Sequence, residues 1–153
     1  MHLIKKSKNI LFIMQLPPPV HGASVMNNYI QLSKKINEKF DCSFINLSTS
    51  KQISEIGKFN FEKIISFFSI FIKTLYHLLY KKYDLVFLTI SPSGIGLIKD
   101  SLIVVLLKIF RKKIIFNLHG KGIRKFYKNS NMFIKKYCHY IFQNTYTIHL
   151  SKK

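Results

Sequence analysis

Two histidine–glycine pairs are the residues of this chain whose types best suit ligand chemistry. The first lies in Pro17-Pro18-Pro19-Val20-His21-Gly22-Ala23-Ser24 and the second in His119-Gly120-Lys121-Gly122. An imidazole can exchange hydrogen bonds with a sugar hydroxyl, and the Lys121 ammonium can meet a phosphate. Glycine lets backbone N–H groups approach a ligand closely. These residue types favour a site for a sugar or a phosphorylated ligand, and the alternative for each segment is a rigid loop without one.

Other common chemistries lack their residues here. The sequence has no G-x-x-x-x-G-K-[ST] motif, and Gly94-Ile95-Gly96 lacks the third glycine of a dinucleotide fingerprint. The six carboxylates form no convincing acid–base pair, and the other four histidines show no metal-ligand spacing, so we expect no metal. Cys42 and Cys138 are far apart without a C-x-x-C partner, which predicts reduced thiols in a cytoplasmic protein.

The charge balance predicts an anionic partner. Lysine and arginine number 25 against 6 acidic residues, giving a formal charge of +19, and only Arg111 and Arg124 are arginines. Solvated helix ends and an anionic membrane surface are both consistent with paired lysines, whereas the scarcity of arginine disfavours nucleic acid. The basic amphipathic segment 63–82 is the predicted membrane contact, and its alternative is a helix that covers a sheet.

No segment is expected to cross a membrane. The best candidate, residues 64–80, contains Lys73 and His77, and its uncharged stretch is shorter than the roughly 18 apolar residues that a span needs. The apolar run 10–14 follows three lysines but is short and has no cleavage site, so it is interpreted as a buried strand rather than a signal peptide.

The elements that must position these loops alternate between strands and helices. A chain of 153 residues with 48% hydrophobic residues suits one domain with a buried core. Strand-length apolar runs occupy 10–16, 42–47, 85–90, 114–118 and 145–150; the first, third and fourth are continuously apolar, which is typical of parallel strands covered on both faces. The pattern predicts an α/β fold with a doubly wound, Rossmann-like parallel sheet.

Helical stripes fall between the strands, and the one long stretch predicted to be irregular is 48–60. The stripes are Val25, Tyr29, Leu32, Ile36 and Phe40; Ile64, Phe67, Phe68, Phe71, Ile72, Leu75, Leu78 and Leu79; Ile98, Leu102, Val105, Leu106 and Ile109; and Phe133, Ile134, Tyr137 and Ile141.

Ligands of such sheets bind outside the carboxyl ends of the strands. The loops after the first, third and fourth strands should open at this edge, with Ser24 as the N-cap of the first helix. With the first strand central and the fourth beside it, His21 and His119 would line one open cleft and be partly exposed. Substituting His119 by alanine would then change stability by about 0.5 kcal/mol or less.

The order of these motifs resembles a known enzyme family. Three motifs occur in order along the chain: a strand followed by Pro18-Pro19-Val20-His21-Gly22-Ala23-Ser24, then Ser91-Pro92-Ser93-Gly94 with Lys99-Asp100, then 112–120 ending in His119-Gly120. This series is similar to the amino-terminal domain of family 4, retaining, GT-B-fold glycosyltransferases of bacterial surface-polysaccharide synthesis. The resemblance runs from about Ile10 to Ser151. It implies one of two Rossmann-like domains that face each other across a cleft.

The resemblance also implies roles for the loop residues. His119 would lie near the transferred hexose as the catalytic residue, and Gly22 near the donor phosphates. The substrate-binding residues would be His21, Gly22, Ala23, Ser24, Gly120 and Lys121. A nucleotide sugar would be the co-substrate, with no cofactor, and the acceptor would be a lipid-linked sugar or a glycan at the cytoplasmic face of the membrane.

Two departures from the family pattern matter. The donor-binding Glu-x7-Glu segment is absent, because Glu55 and Glu62 are seven residues apart rather than eight, and Lys99 stands where the family often has arginine. Residues 1–153 would thus be the acceptor-side domain without the donor-binding domain, which a separate chain could supply, and no activity is expected from this chain alone. The competing hypothesis is a non-catalytic Rossmann-like module that binds an anionic membrane or another polyanion.

Overall fold

The computed structural model describes residues 8–49 and 61–149 and confirms the predicted α/β class. Five strands form one all-parallel sheet flanked by helices. The strands are β1 (Asn9–Met14), β2 (Asp41–Asn46), β3 (Leu85–Ile90), β4 (Ile114–Leu118) and β5 (Tyr146–His149). The described helices are α1 (Gly22–Leu32), α2 (Lys34–Lys39), α3 (Phe61–Tyr80), α4 (Gly94–Ile109), α5 (Ile123–Asn129) and α6 (Met132–Phe142). Most of the stretch predicted to be irregular, 48–60, lies outside the described residues.

The strand order differs from the expected one. The order is β2-β1-β3-β4-β5, so β3 lies between β1 and β4, and the prediction that the fourth strand neighbours the first is wrong. β2 lies on one side of β1, and β3, β4 and β5 follow on its other side. The topological switch point of the sheet is therefore between β1 and β3. Hydrophobic patterns specify a buried parallel strand but not its neighbours.

The chain divides into two compact units, Met1–Phe87 and Leu88–Lys153, with the boundary inside β3. In the first unit, β1 is the most buried strand, and five of its six residues are excluded from solvent. The Phe12 ring stacks on Phe44 of β2 with centroids 5.1 Å apart and tilts against Phe87 at 5.3 Å. β1 and β2 pair in register from Asn9 opposite Asp41 to Met14 opposite Asn46.

The first predicted helical stripe is split into two helices. Ser33 has extended backbone angles (φ −65°, ψ 109°), ends α1 and begins α2. Its hydroxyl accepts a hydrogen bond from the Ile36 N–H at 3.4 Å, an N-cap that serine favours. The apolar stripe from Val25 to Phe40 therefore does not belong to one continuous helix.

In the second unit, the core forms between β4 and the helices that follow it. Phe116 is fully buried, and its ring contacts Phe142 of α6 edge-on with centroids 5.1 Å apart. β5 pairs with β4 in parallel, with Leu118 opposite His149. The short helix α5 was not predicted, because seven residues are too few to show a clear apolar period.

The helices bury faces other than the predicted stripes. In α4 the fully excluded apolar residues are Ile103, Val104 and Leu107. Of the predicted stripe, Leu106 is buried, whereas Ile98, Leu102 and Ile109 are exposed. In α3 only Leu78 of the predicted eight is buried. These helices carry apolar residues on more than one side, so their periodicity identifies a helix without identifying its inner face.

Candidate functional site

The loop after β1 is held by a reciprocal cap between His21 and Ser24. His21, rather than the predicted Ser24, is the N-cap of α1; its Nδ1 accepts a hydrogen bond from the Ser24 N–H at 3.3 Å. In return, the Ser24 Oγ accepts from the His21 N–H at 2.9 Å and lies 2.8 Å from the Pro19 carbonyl, to which it donates. This capping box fixes the loop against the first turn of α1.

The cap divides the predicted substrate-binding residues of this loop into two groups. Ser24 is fully buried, so its hydroxyl serves the loop itself. His21 and Ala23 are half-buried and Gly22 is exposed, which leaves them open to solvent. Because the cap uses Nδ1, Nε2 is the ring nitrogen of His21 that can serve a ligand.

The loop after β3 is organised by a buried carboxylate. Asp100 of α4 is fully buried and accepts hydrogen bonds from the Ser91 N–H at 2.9 Å and from the Ser91 hydroxyl at 2.6 Å. The Lys99 ammonium lies 2.7 Å from the other carboxylate oxygen. These bonds from helix to loop fix where the backbone leaves β3, a positioning role that the sequence did not reveal.

The loop after β4 packs on the loop after β3 within the same unit. Gly120 has φ +129°, and a β-carbon added there would lie 3.0 Å from Pro92 Cγ. A β-carbon on Gly122 would lie 2.9 Å from the Ser93 hydroxyl. Glycine suits Gly120 in both backbone conformation and space, and a side chain at Gly122 would require the Ser93 side chain to move.

His119 stands at the start of this loop in a fixed position. Its Nε2 is hydrogen-bonded to the side-chain amide of Asn117 at 2.7 Å, and Asn117 is buried in β4. The imidazole is half-buried, as expected for a ligand-facing histidine, and both Gly120 and Lys121 are exposed. His119, Gly120 and Lys121 thus lie together at the carboxyl ends of β3 and β4, beside Pro92.

The close packing at Gly120 gives a test of this loop. Gly120→Ala is expected to lower the free energy of unfolding by about 1–3 kcal/mol, because an alanine at φ +129° is strained and meets Pro92. Gly22→Ala is the matched control: its β-carbon would meet nothing within 4 Å, so we expect no loss of stability. Urea denaturation of both variants measures the difference, and equal stabilities would contradict the described loop packing.

Two histidines that the sequence left unassigned come together in the second unit. His139 of α6 and His149 of β5 line a cavity of about 380 Å³ next to Leu118, with Arg124 and Tyr127 of α5. The pairing of β5 with β4 brings His149 to the carboxyl end of the sheet. The sequence does not indicate that these two histidines line one cavity, because they are ten residues apart and their placement depends on the register between β5 and β4.

Cys138 lies in the wall between this cavity and a second, apolar one of about 250 Å³ among α4, α5 and α6. Burial raises the pKa of the Cys138 thiol, so the thiol stays protonated at neutral pH. Within residues 8–49 and 61–149, no three His, Cys, Asp or Glu side chains are grouped so that they could hold a metal ion.

The two predicted histidine loops belong to different compact units. His21, Gly22, Ala23 and Ser24 lie in the first, and His119, Gly120 and Lys121 in the second. A single cleft lined by both histidines therefore stays a prediction. No protein-family model, curated protein or solved structure matches this chain.

Proposed function

We propose that this chain is the acceptor-side half of a retaining glycosyltransferase of the GT-B type. The observation that supports this most is the paired loop at the carboxyl ends of β3 and β4. There, Gly120 at φ +129° brings its backbone against Pro92 while the half-buried His119 and the exposed Lys121 stand beside it. These are the positions at which the sequence resembles that family.

Each side chain of the loop has a defined task in this proposal. The enzyme transfers a hexose from a nucleotide sugar to an acceptor hydroxyl and releases the nucleoside diphosphate. His119, oriented by Asn117, exchanges a hydrogen bond with the acceptor hydroxyl to which the hexose is transferred. Lys121 meets a phosphate of a lipid-linked acceptor. A donor-binding domain completes the reaction, at the cytoplasmic face of the membrane.

Acceptor binding tests this proposal without requiring turnover. The probe is a short-chain prenyl diphosphate-linked hexose, titrated calorimetrically into the full chain. His119→Ala is expected to weaken binding about tenfold, which corresponds to the loss of one hydrogen bond to the ligand. His149→Ala, which replaces an exposed histidine at the end of β5, is the control and should leave the affinity unchanged.

The stability of the His119→Ala variant must be measured alongside. The sequence alone predicts a change of about 0.5 kcal/mol or less, but the bond to buried Asn117 raises the expected cost to about 1 kcal/mol. A loss of this size leaves the His119→Ala variant folded, so its affinity for the acceptor can be measured. Absence of acceptor binding by the unsubstituted chain, or equal affinities of the two variants, would contradict the proposal.

The second candidate function is a non-catalytic module for an anionic membrane or another polyanion. The formal charge of +19 favours it, because so large an excess attracts any anionic surface. The two candidates differ in the acceptor titration: a module of this kind would bind anionic vesicles but not the lipid-linked hexose, and His119→Ala would have no effect on its binding.

A further inference from the structure

Helix α3 carries two apolar faces, of which one is exposed in the part of its unit that the structure describes. Ile70, Thr74 and Leu78, each four residues after the last, form the inner face and are buried. The opposite side holds six large apolar side chains that are 54–70% exposed: Phe61, Ile65, Phe68, Ile72, Tyr76 and Leu79. Their spacing of three or four residues aligns them along the whole helix. We call these six residues the outer stripe of α3.

The outer stripe is unusual for a helix that faces water. A surface helix normally turns polar residues outward, and here the outward side is as apolar as the inward one. Scattered exposed hydrophobic residues are common, but six that are aligned over 20 residues form a continuous patch. Such a patch indicates a surface that contacts something less polar than water.

The helix is long and apolar enough to cross a bilayer, but its inner contacts favour a flat position. Among the described residues, α3 is the one helix that meets the length and hydropathy of a span. However, Ile70, Thr74 and Leu78 of its inner face are buried, and Lys81 just after α3 pairs with Asp41 of β2 at 2.9 Å. A spanning α3 would lose the burial of its inner face, whereas one lying in the interface keeps it.

The charges around the outer stripe fit an anionic surface. Lys73 on α3 and Lys82 just after it are exposed, and Glu62 is the one acidic residue of the helix. Burial, together with Lys73 and Lys81, lowers the pKa of His77, so its imidazole is neutral at pH 7. A second copy of the chain would bring its own charge of +19 to the contact, which opposes self-association.

We propose that α3 lies in the plane of an anionic lipid bilayer surface, with its outer stripe inserted among the lipids and Lys73 and Lys82 at the headgroups. Such burial of an apolar face, combined with attraction of lysines to anionic lipid, is how interfacial helices bind. The inference concerns where the chain acts and holds for either candidate function, so it can fail independently of acceptor binding.

The absence of tryptophan from the sequence makes the contact directly observable. Phe68→Trp places a single reporter in the outer stripe, and Phe133→Trp places one at an equally accessible site of α6, where Phe133 is 84% exposed. With vesicles of phosphatidylcholine and phosphatidylglycerol, emission of the first variant is expected to shift to the blue and that of the second to stay unchanged. Vesicles of phosphatidylcholine alone, or high salt, should reduce the shift strongly.

Substitutions within the outer stripe test the energetics in a vesicle sedimentation assay. Phe68→Ser/Ile72→Ser is expected to lower partitioning at least tenfold, and Lys73→Gln about fivefold. The control Ile109→Ser/Phe133→Ser removes two exposed apolar side chains elsewhere and should have no effect. Circular dichroism confirms that each variant is folded.

Several results would overturn the proposal. One is an unshifted emission of the Phe68→Trp variant with anionic vesicles, and another is an equal shift for both tryptophan variants. A third is equal binding to neutral and anionic vesicles. A fourth is concentration-dependent dimerisation that the double serine variant abolishes, which would assign the outer stripe to a second copy. Finally, quenching of the Phe68→Trp variant from the bilayer centre would show a spanning helix instead of an interfacial one.

Discussion

Asp100→Ala is expected to lower the free energy of unfolding by about 2–4 kcal/mol, because it removes the fully buried acceptor of two hydrogen bonds from Ser91 and the carboxylate that faces the partly exposed Lys99 ammonium. The Asp100 carboxylate is fully buried and accepts three hydrogen bonds, two from Ser91 and one from Lys99. Its loss takes the acceptor from the Ser91 N–H and hydroxyl and removes the carboxylate that faces the Lys99 ammonium. The loop after β3, on which Gly120 packs, should loosen at the same time.

The matched control is the exposed ion pair of the first unit. Asp41 and Lys81 are 2.9 Å apart, but their side chains are 43% and 36% exposed. Asp41→Ala should therefore cost no more than about 1 kcal/mol. Urea denaturation followed by circular dichroism compares the two variants, and an Asp100→Ala loss no greater than that of Asp41→Ala would show that the buried carboxylate does not organise the loop.

Phe116→Ala is expected to cost a similar amount, about 3–5 kcal/mol, for a different reason. The ring is fully excluded from solvent and packs edge-on against Phe142, so its removal leaves a cavity in the core of the second unit. Phe133→Ala deletes the same atoms at an exposed site and should change stability by about 0.5 kcal/mol or less. Thermal melts of both variants suffice, and similar melting temperatures would contradict the described core.

The bounds of the buried parallel strands were the feature of the fold that the sequence predicted most accurately. β3 and β4 have the predicted bounds, because an uninterrupted run of branched and aromatic residues is stable only where both faces are covered. The bounds of β1 were predicted to within two residues. The prediction extended to Leu16, which is apolar and buried, but the strand ends at Met14.

The inner faces of the helices and the order of the strands could not be predicted. Phe68 and Ile72 of α3 are as hydrophobic as Ile70 and Leu78, so composition alone cannot tell which pair faces the sheet. The strand order depends on which side of β1 each crossover returns to, and no residue pattern records that choice.

The sequence pointed to the glycines and histidines of the loops but not to the contacts that hold these loops in place. Gly120 was identifiable because a glycine after a strand suggests a close backbone approach. The bond between Ser91 and Asp100 was not, since it joins residues nine positions apart through a turn whose geometry the sequence does not specify. Ser24 was expected to be the N-cap of α1, whereas His21 is the N-cap and Ser24 is the N3 residue of the capping box.

The most direct test of the proposed function is a histidine-resolved titration. The chain is labelled with ¹⁵N-histidine, and two-bond spectra are recorded while the short-chain prenyl diphosphate-linked hexose is added. We predict saturable shifts of the His119 resonances, with those of His139 and His149 unchanged, because only His119 stands in the loop beside Lys121. A titration in which His119 does not respond, or in which His139 and His149 respond instead, would contradict the assignment of the acceptor site.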